Sequence, residues 1–277
     1  MGMKRNTEIR SISILGCGWL GLHLAKELVS NGYKVKGSTT SHSKLSDLRD
    51  FGIKPYLIDL NEKDNEEIIK DFLRSDALFV NIPPTKATTE SQSYADSFYS
   101  IVNSISTSTI QNIVFISATS VYKSGAGKIT EESELATSDR AIRLIEAEKL
   151  FLSLNKCTSV IRFGGLCGNG RNPVKYLSGK NDLEGGNKRT NMIHLVDCIR
   201  VSEKAIFGNI SGVYNVVADC HPSKEAFYTA MGELFNVTPP LYIDSNKDLS
   251  GKWICSEKFK KDFSFEFKFP DPLNFPN

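Results

Sequence analysis

Apolar positions along this chain follow two alternating rhythms. Short apolar runs at Ser11–Leu15, Lys34–Ser38, Lys54–Asp59, Ala77–Ile82, Asn112–Ser117, Thr158–Phe163 and Val213–Val217 predict strands. Stretches with apolar residues at helical spacing predict helices between them, at Leu20–Asn31, Ser43–Phe51, Asn65–Leu73, Glu90–Ser106, Ser138–Leu154 and Ser223–Phe235. Strand–helix alternation builds right-handed βαβ units, so the fold class expected is α/β, a doubly wound parallel sheet covered on both faces. After residue 164 the rhythm loosens into segments rich in Gly, Asn and Lys, which suits loops beside a ligand site. The expected division is 1–163 for the sheet domain and 164–277 for a small C-terminal lobe, interleaved with it and carrying the last sheet strand or strands. In the tail, Phe263, Phe265, Phe267 and Phe269 alternate with Ser264, Glu266 and Lys268. A period of two predicts a strand whose aromatic face covers the core or walls a substrate site.

The first strand runs into Gly16-Cys17-Gly18-Trp19-Leu20-Gly21, and a helix follows. In this order the spacing G-x-G-x-x-G marks a dinucleotide-binding Rossmann turn. Gly16 permits the tight turn, Gly18 lets a pyrophosphate approach the backbone, and Gly21 lets the helix pack on the sheet. The N–H groups that open the helix, around Trp19 and Leu20, face the phosphates. Parallel sheets bind ligands at the carboxyl ends of their strands. The second strand ends at Ser38-Thr39-Thr40-Ser41, with His42 and Lys44 beyond. An NAD site carries an acidic residue about here for the ribose 2′-hydroxyl. Hydroxyls and a cation suit a 2′-phosphate instead, so the cofactor expected is NADP(H), with NAD as the alternative. These hydroxyls also suit the N-cap of the next helix. At the third strand end, Asp59 suits the adenine amino group and Leu60 its ring. The fourth ends at Asn81-Ile82-Pro83-Pro84, where Asn81 and Pro83 border the expected path of the dinucleotide.

Composition removes other classes. With 34 basic and 32 acidic residues the net charge is +2, which gives no electrostatic case for nucleic acid or an anionic membrane surface. No apolar run approaches the ~20 residues that span a bilayer, and no apolar signal core follows the basic start, Met1 to Arg10. Six scattered cysteines form no C-x-x-C pair, so no metal is expected and a reducing, cytoplasmic setting is the simplest reading. Cys17, inside the glycine turn, is read as a small filler of that turn.

Several segments resemble the extended short-chain dehydrogenase/reductases, the family of nucleoside-diphosphate-sugar epimerases and dehydratases. They are Gly16–Gly21, Ser117-Ala118-Thr119-Ser120-Val121-Tyr122 with Glu131, Arg162-Phe163-Gly164-Gly165-Leu166-Cys167-Gly168-Asn169-Gly170-Arg171, Asn191-Met192-Ile193-His194-Leu195-Val196-Asp197, and Tyr214-Asn215-Val216. The resemblance spans essentially the whole chain, and the shortened glycine motif resembles the atypical branch. It implies a small-molecule substrate, phosphorylated or nucleotide-linked, and a monomer or homodimer. His194 is read as structural and Asp197 as a helix cap.

The departures concern the chemistry. The family uses a Tyr four residues before a Lys on the helix after the fifth strand. Aligning Glu148 with the family's helix glutamate puts Arg140 at the Tyr position and Leu144 at the Lys position, while Ala118 takes the usual Ser/Thr position. Tyr176 and Lys180 spell Y-x-x-x-K only in a later loop, which is read as coincidence. The resemblance therefore points to Ser117, Tyr122 and Arg140 as candidate catalytic groups, and to Thr119 and Arg171 as candidate substrate contacts. The function expected is an NADP(H)-dependent oxidoreductase or epimerase-like enzyme on a small polar metabolite such as a nucleotide sugar. The alternative is a non-catalytic NAD(P)-binding sensor or partner subunit.

Overall fold

A computed structural model describes residues 9–62, 66–84, 94–243 and 248–276. The first eight residues, Asn65, and Glu90 to Ser93 of one predicted helix lie outside them. The elements run β1 (Ser11–Leu15), α1 (Trp19–Ser30), β2 (Lys34–Thr39), α2 (Lys44–Asp50), β3 (Lys54–Leu57), α3 (Glu66–Phe72), β4 (Ala77–Val80), α4 (Tyr99–Ile105) and β5 (Asn112–Ala118). Then come β6 (Gly127–Ile129), α5 (Asp139–Leu152), β7 (Cys157–Phe163), β8 (Gly165–Cys167), β9 (Met192–His194), α6 (Leu195–Phe207), β10 (Gly212–Val216), α7 (Lys224–Phe235), β11 (Lys252–Ile254) and α8 (Glu257–Phe263). The seven strands predicted from apolar runs form one parallel sheet in the order β10-β7-β5-β4-β1-β2-β3.

The chain divides into two compact units. The first comprises residues up to Val121 with Thr137–Ile161 and Ile199–Val213; the second comprises Tyr122–Ala136, Arg162–Cys198 and Tyr214–Asn277. Tyr122–Ala136 goes with the later residues and Ile199–Val213 with the earlier ones.

In the first unit, β4 is buried at all four positions, as a strand covered on both faces must be. Helix α1 buries Leu20, Gly21, Leu24, Ala25 and Leu28, one stripe at helical spacing. Phe98 packs edge-on against Phe115 and Phe151, and Phe115 stacks on Phe151.

The second unit carries two short parallel ladders, β6 with β11 and β8 with β9. Its tail departs from the strand expected there. Phe259 and Phe263 are one helical turn apart on α8, and Ser264 ends that helix in the left-handed region with φ 46°. Phe265 and Phe267 turn inward from irregular backbone, so the rings do cover a core. The tail's backbone is held by a side chain rather than a neighbouring strand. Asp197, fully buried in the first turn of α6, accepts the N–H groups of Lys268 and Phe269 at 2.8 Å each. The helix starts at Leu195, before Asp197, and this carboxylate ties down the tail.

Candidate functional site

The three glycines of the first turn have different surroundings. Gly16 sits at φ 98°, and a Cβ there would meet the Asn81 carbonyl oxygen at 2.6 Å. A Cβ on Gly21 would lie 2.2 Å from the Gly16 oxygen and 3.3 Å from the Ile14 side chain. Gly18 faces open space: among the described residues, nothing beyond its own chain neighbours comes within 4 Å of its missing Cβ. Gly18 is also the N-cap of the twelve-residue α1 and has no side chain to cover the helix start. Trp19, Leu20 and Gly21 form the first turn, ahead of the first helical bond, Leu22 N–H to Gly18 O. An open backbone cradle beside the positive end of a helix fits a pyrophosphate.

This contrast yields two expected results. Gly18→Val should cost stability only about 1 kcal/mol, as a poorer N-cap. In calorimetric titration it should weaken NADPH at least about tenfold, ~1.4 kcal/mol, by filling the cradle. Gly21→Ala should instead lower thermal stability by about 1–3 kcal/mol, because α1 must move off the turn.

The strand ends sort the remaining cofactor candidates. Ser38 is buried: its Oγ accepts the Gly16 N–H at 2.9 Å, while its carbonyl accepts the Cys17 N–H. It belongs to the architecture of the turn. Cys17 is buried with its sulfur against β2, where a Cβ on Gly37 would meet it at 2.6 Å. Burial pushes its thiol up to about 12, so it stays protonated. Thr39 is half-exposed and Thr40 and Lys44 are exposed. The Thr39 Oγ1 accepts the Ser41 N–H at 3.1 Å, and α2 begins after Ser43 with no side-chain cap. Asp59 accepts from the backbone and side-chain nitrogens of Asn61 at 3.0 and 2.9 Å, and Leu60 beside it is half-buried. Asn81 bonds back to β1 through its N–H to Leu15 O, and Pro83 is exposed.

The candidate catalytic hydroxyls are engaged. Ser117, at the end of β5, donates to Glu148 Oε1 at 2.5 Å, and both residues are buried. In the second unit, Tyr122 accepts from the buried Arg162 guanidinium at 2.7 Å and donates to Asn215 Oδ1 at 2.7 Å. The guanidinium also lies 5.0 Å from the ring centre, and burial raises the phenol's pKa. Removing the Tyr122 hydroxyl takes an acceptor from a buried cation and a donor from a buried amide. Tyr122→Phe should therefore lower stability by about 1–3 kcal/mol in thermal unfolding, with NADPH affinity unchanged.

Arg140 is exposed in the first turn of α5, and Leu144, one turn later, is buried. Thr119 is half-exposed in the 3₁₀ turn that follows β5. In the second unit, Gly168-Asn169-Gly170-Arg171 closes a tight turn with reciprocal Gly168–Arg171 backbone bonds. Asn169 and Gly170 both have positive φ, as a type I′ turn requires. The turn leaves Arg171 exposed. The His194 ring packs edge-on against Phe269 and its Nδ1 accepts the Val196 N–H. Burial lowers its pKa and keeps it neutral, a structural histidine. A Cβ on Gly168 would strike its Nε2 at 2.5 Å. Tyr176 is 81% exposed at the end of a 3₁₀ turn. None of the six cysteines is in a disulfide, and among the described residues no helix is long and apolar enough to cross a membrane.

No protein-family profile matches the chain. Protein YeeZ of Escherichia coli (strain K12) is 30% identical over 276 residues, covering 97% of this chain and 99% of YeeZ. WbmG of Bordetella bronchiseptica, solved in complex with NAD, has a TM-score of 0.77 at 13% identity, covering 96% of this chain and 92% of that one. The UDP-glucuronic acid 4-epimerase of Bacillus cereus, also solved with NAD, has a TM-score of 0.74 at 15% identity, covering 96% and 97%. At these identities the two solved structures share the fold with this chain.

Proposed function

The chain belongs, with Protein YeeZ, to the extended short-chain dehydrogenase/reductase family, and from that premise we propose that it is an NADP(H)-dependent oxidoreductase or epimerase-like enzyme acting on a nucleotide-linked sugar or similar small polar metabolite. The observation that carries the reading is the cradle at Gly18, open on the side where a pyrophosphate would lie and closed at Gly16 and Gly21. The cofactor class draws on WbmG, solved with NAD, and the substrate class on the epimerase, which is named for UDP-glucuronic acid.

When bound, the nicotinamide would accept or supply a hydride. The chain's own residues do the rest. Gly18, Trp19, Leu20 and Gly21 hold the pyrophosphate through backbone N–H groups. Thr39, Thr40 and Lys44 hold the 2′-phosphate, and Asp59 and Leu60 hold the adenine. Asn81 and Pro83 border the path toward the nicotinamide. The family's Tyr–Lys pair is absent, and Arg140 takes the Tyr position. A guanidinium stays charged near neutrality, so it polarises a substrate carbonyl or clamps an anionic group rather than passing a proton. Thr119 is the candidate substrate contact of the first unit and Arg171 that of the second. Ser117 and Tyr122 act as supports: Ser117 joins the end of β5 to α5, and Tyr122 braces Arg162 and Asn215 in the second unit.

The test combines titration of the unmodified protein with NADPH and NADH and an NADPH-coupled turnover screen of nucleotide sugars. Tight NADPH binding with turnover supports the reading. Binding without turnover of any of them supports a dinucleotide-binding sensor, and no binding overturns both.

A further inference from the structure

We propose that Tyr94 is a positioning residue of the cofactor site, its phenol fixing the carboxyl end of β4 for the nicotinamide half of the dinucleotide. The inference rests on the dinucleotide reading above and adds to it a residue from outside every motif of the sequence.

The end of β4 needs a fastening. Asn81 still bonds to β1 through Leu15 O. Beyond it, Pro83 and Pro84 have no N–H groups, so this stretch holds its own path weakly. The next carbonyl, Ile82 O, accepts the Tyr94 O–H at 2.5 Å. Tyr94 is itself anchored. It is buried, its ring stands edge-on to Phe98 with centroids 5.0 Å apart, and Phe98 packs against Phe115 and Phe151. The phenol therefore ties the strand end to the buried aromatic cluster of Phe98, Phe115 and Phe151.

The fastened residue touches the glycine turn. A Cβ on Gly16 would meet Ile82 Cγ1 at 3.1 Å and Asn81 O at 2.6 Å. Ile82 thus lies against the glycine turn, between Asn81 and Pro83, the two residues read above as bordering the path toward the nicotinamide. The Arg140 guanidinium also acts on this phenol and favours its ionised form, but burial outweighs it and raises the pKa. The hydroxyl stays protonated at working pH and serves as a constant donor to Ile82.

Tyr94→Phe keeps the ring and its packing and removes only the donor. Two ligands are compared by calorimetry: NADPH, and adenosine 2′,5′-bisphosphate, which lacks the nicotinamide half. The expected result is NADPH weakened about 5- to 10-fold, with the bisphosphate changed by less than about twofold. A purely structural role would weaken both together, and that result overturns the inference, as does unchanged NADPH affinity. Should the variant not fold, hydrogen exchange on the unmodified protein decides. NADPH, but not the bisphosphate, must slow exchange in peptides covering 78–82 and 94–98, and equal protection by both ligands overturns the inference. Failure of the unmodified protein to bind either NADPH or NADH overturns the cofactor reading and this inference with it. Normal binding with an indifferent Tyr94→Phe overturns this inference alone.

Discussion

Thr39→Asp is expected to invert the cofactor preference, from NADPH in the unmodified protein to NADH in the variant. Thr39 stands at the end of β2, with Thr40 and Lys44 exposed beside it. Each hydrogen bond to a charged phosphate is worth about 1.5–3 kcal/mol, so the unmodified protein should hold NADPH roughly 10- to 100-fold more tightly than NADH. A carboxylate at position 39 repels the 2′-phosphate and accepts the ribose 2′-hydroxyl instead. It also accepts the Ser41 N–H as the Thr39 hydroxyl does, so the turn into α2 survives and the change is read on a folded protein. Side-by-side calorimetric titrations check it. Because Lys44 is exposed, the preference should also shrink as salt is added. If the unmodified protein binds both cofactors equally well, the reading of this strand end is wrong.

Arg140→Leu should cut kcat about 10²-fold, the size typical of losing a preorganised charge at a reacting group. The substitution should not harm the helix. A cation in the first turn opposes the helix dipole, and Arg140 is exposed, so a neutral side chain there costs α5 little. A fall in rate without a fall in thermal midpoint separates chemistry from folding. Tyr176→Phe is the control, since its phenol is 81% exposed on a turn, and its rate should stay nearly intact. Loss of turnover in Tyr176→Phe with an unaffected Arg140→Leu would mean that α5 is not the helix facing the substrate.

The Tyr122 and Ser117 hydroxyls show why candidate chemistry read from a motif needs the packed protein. Both lie at or just after the end of β5, where parallel sheets place ligands. Their partners are Glu148, 31 residues away, and Asn215, 93 residues away. A strand's position names a region of space. Which hydroxyls remain available there depends on which distant side chains also arrive.

Local periodicity determined the seven sheet strands and most of the helices, because burying one stripe or one face fixes the rhythm of apolar residues wherever the element ends up. The different surroundings of Gly16, Gly18 and Gly21 were legible for the same reason: the tight turn, the open position and the helix start are consecutive in the chain. The inward-facing phenylalanines of the tail were legible too, but their backbone was not. Phe259 and Phe263 at helical spacing belong to α8, and the residues after Ser264 rely on Asp197, about 70 residues upstream by the span of those bonds. Tertiary structure alone decided the hydroxyl of Ser38 beneath Gly16, the phenol of Tyr94 on Ile82, the buried network around Tyr122, and the passage of the chain between two units. Each depends on strand order and register, which set what meets across the sheet, and no local pattern of apolar and polar residues encodes that meeting.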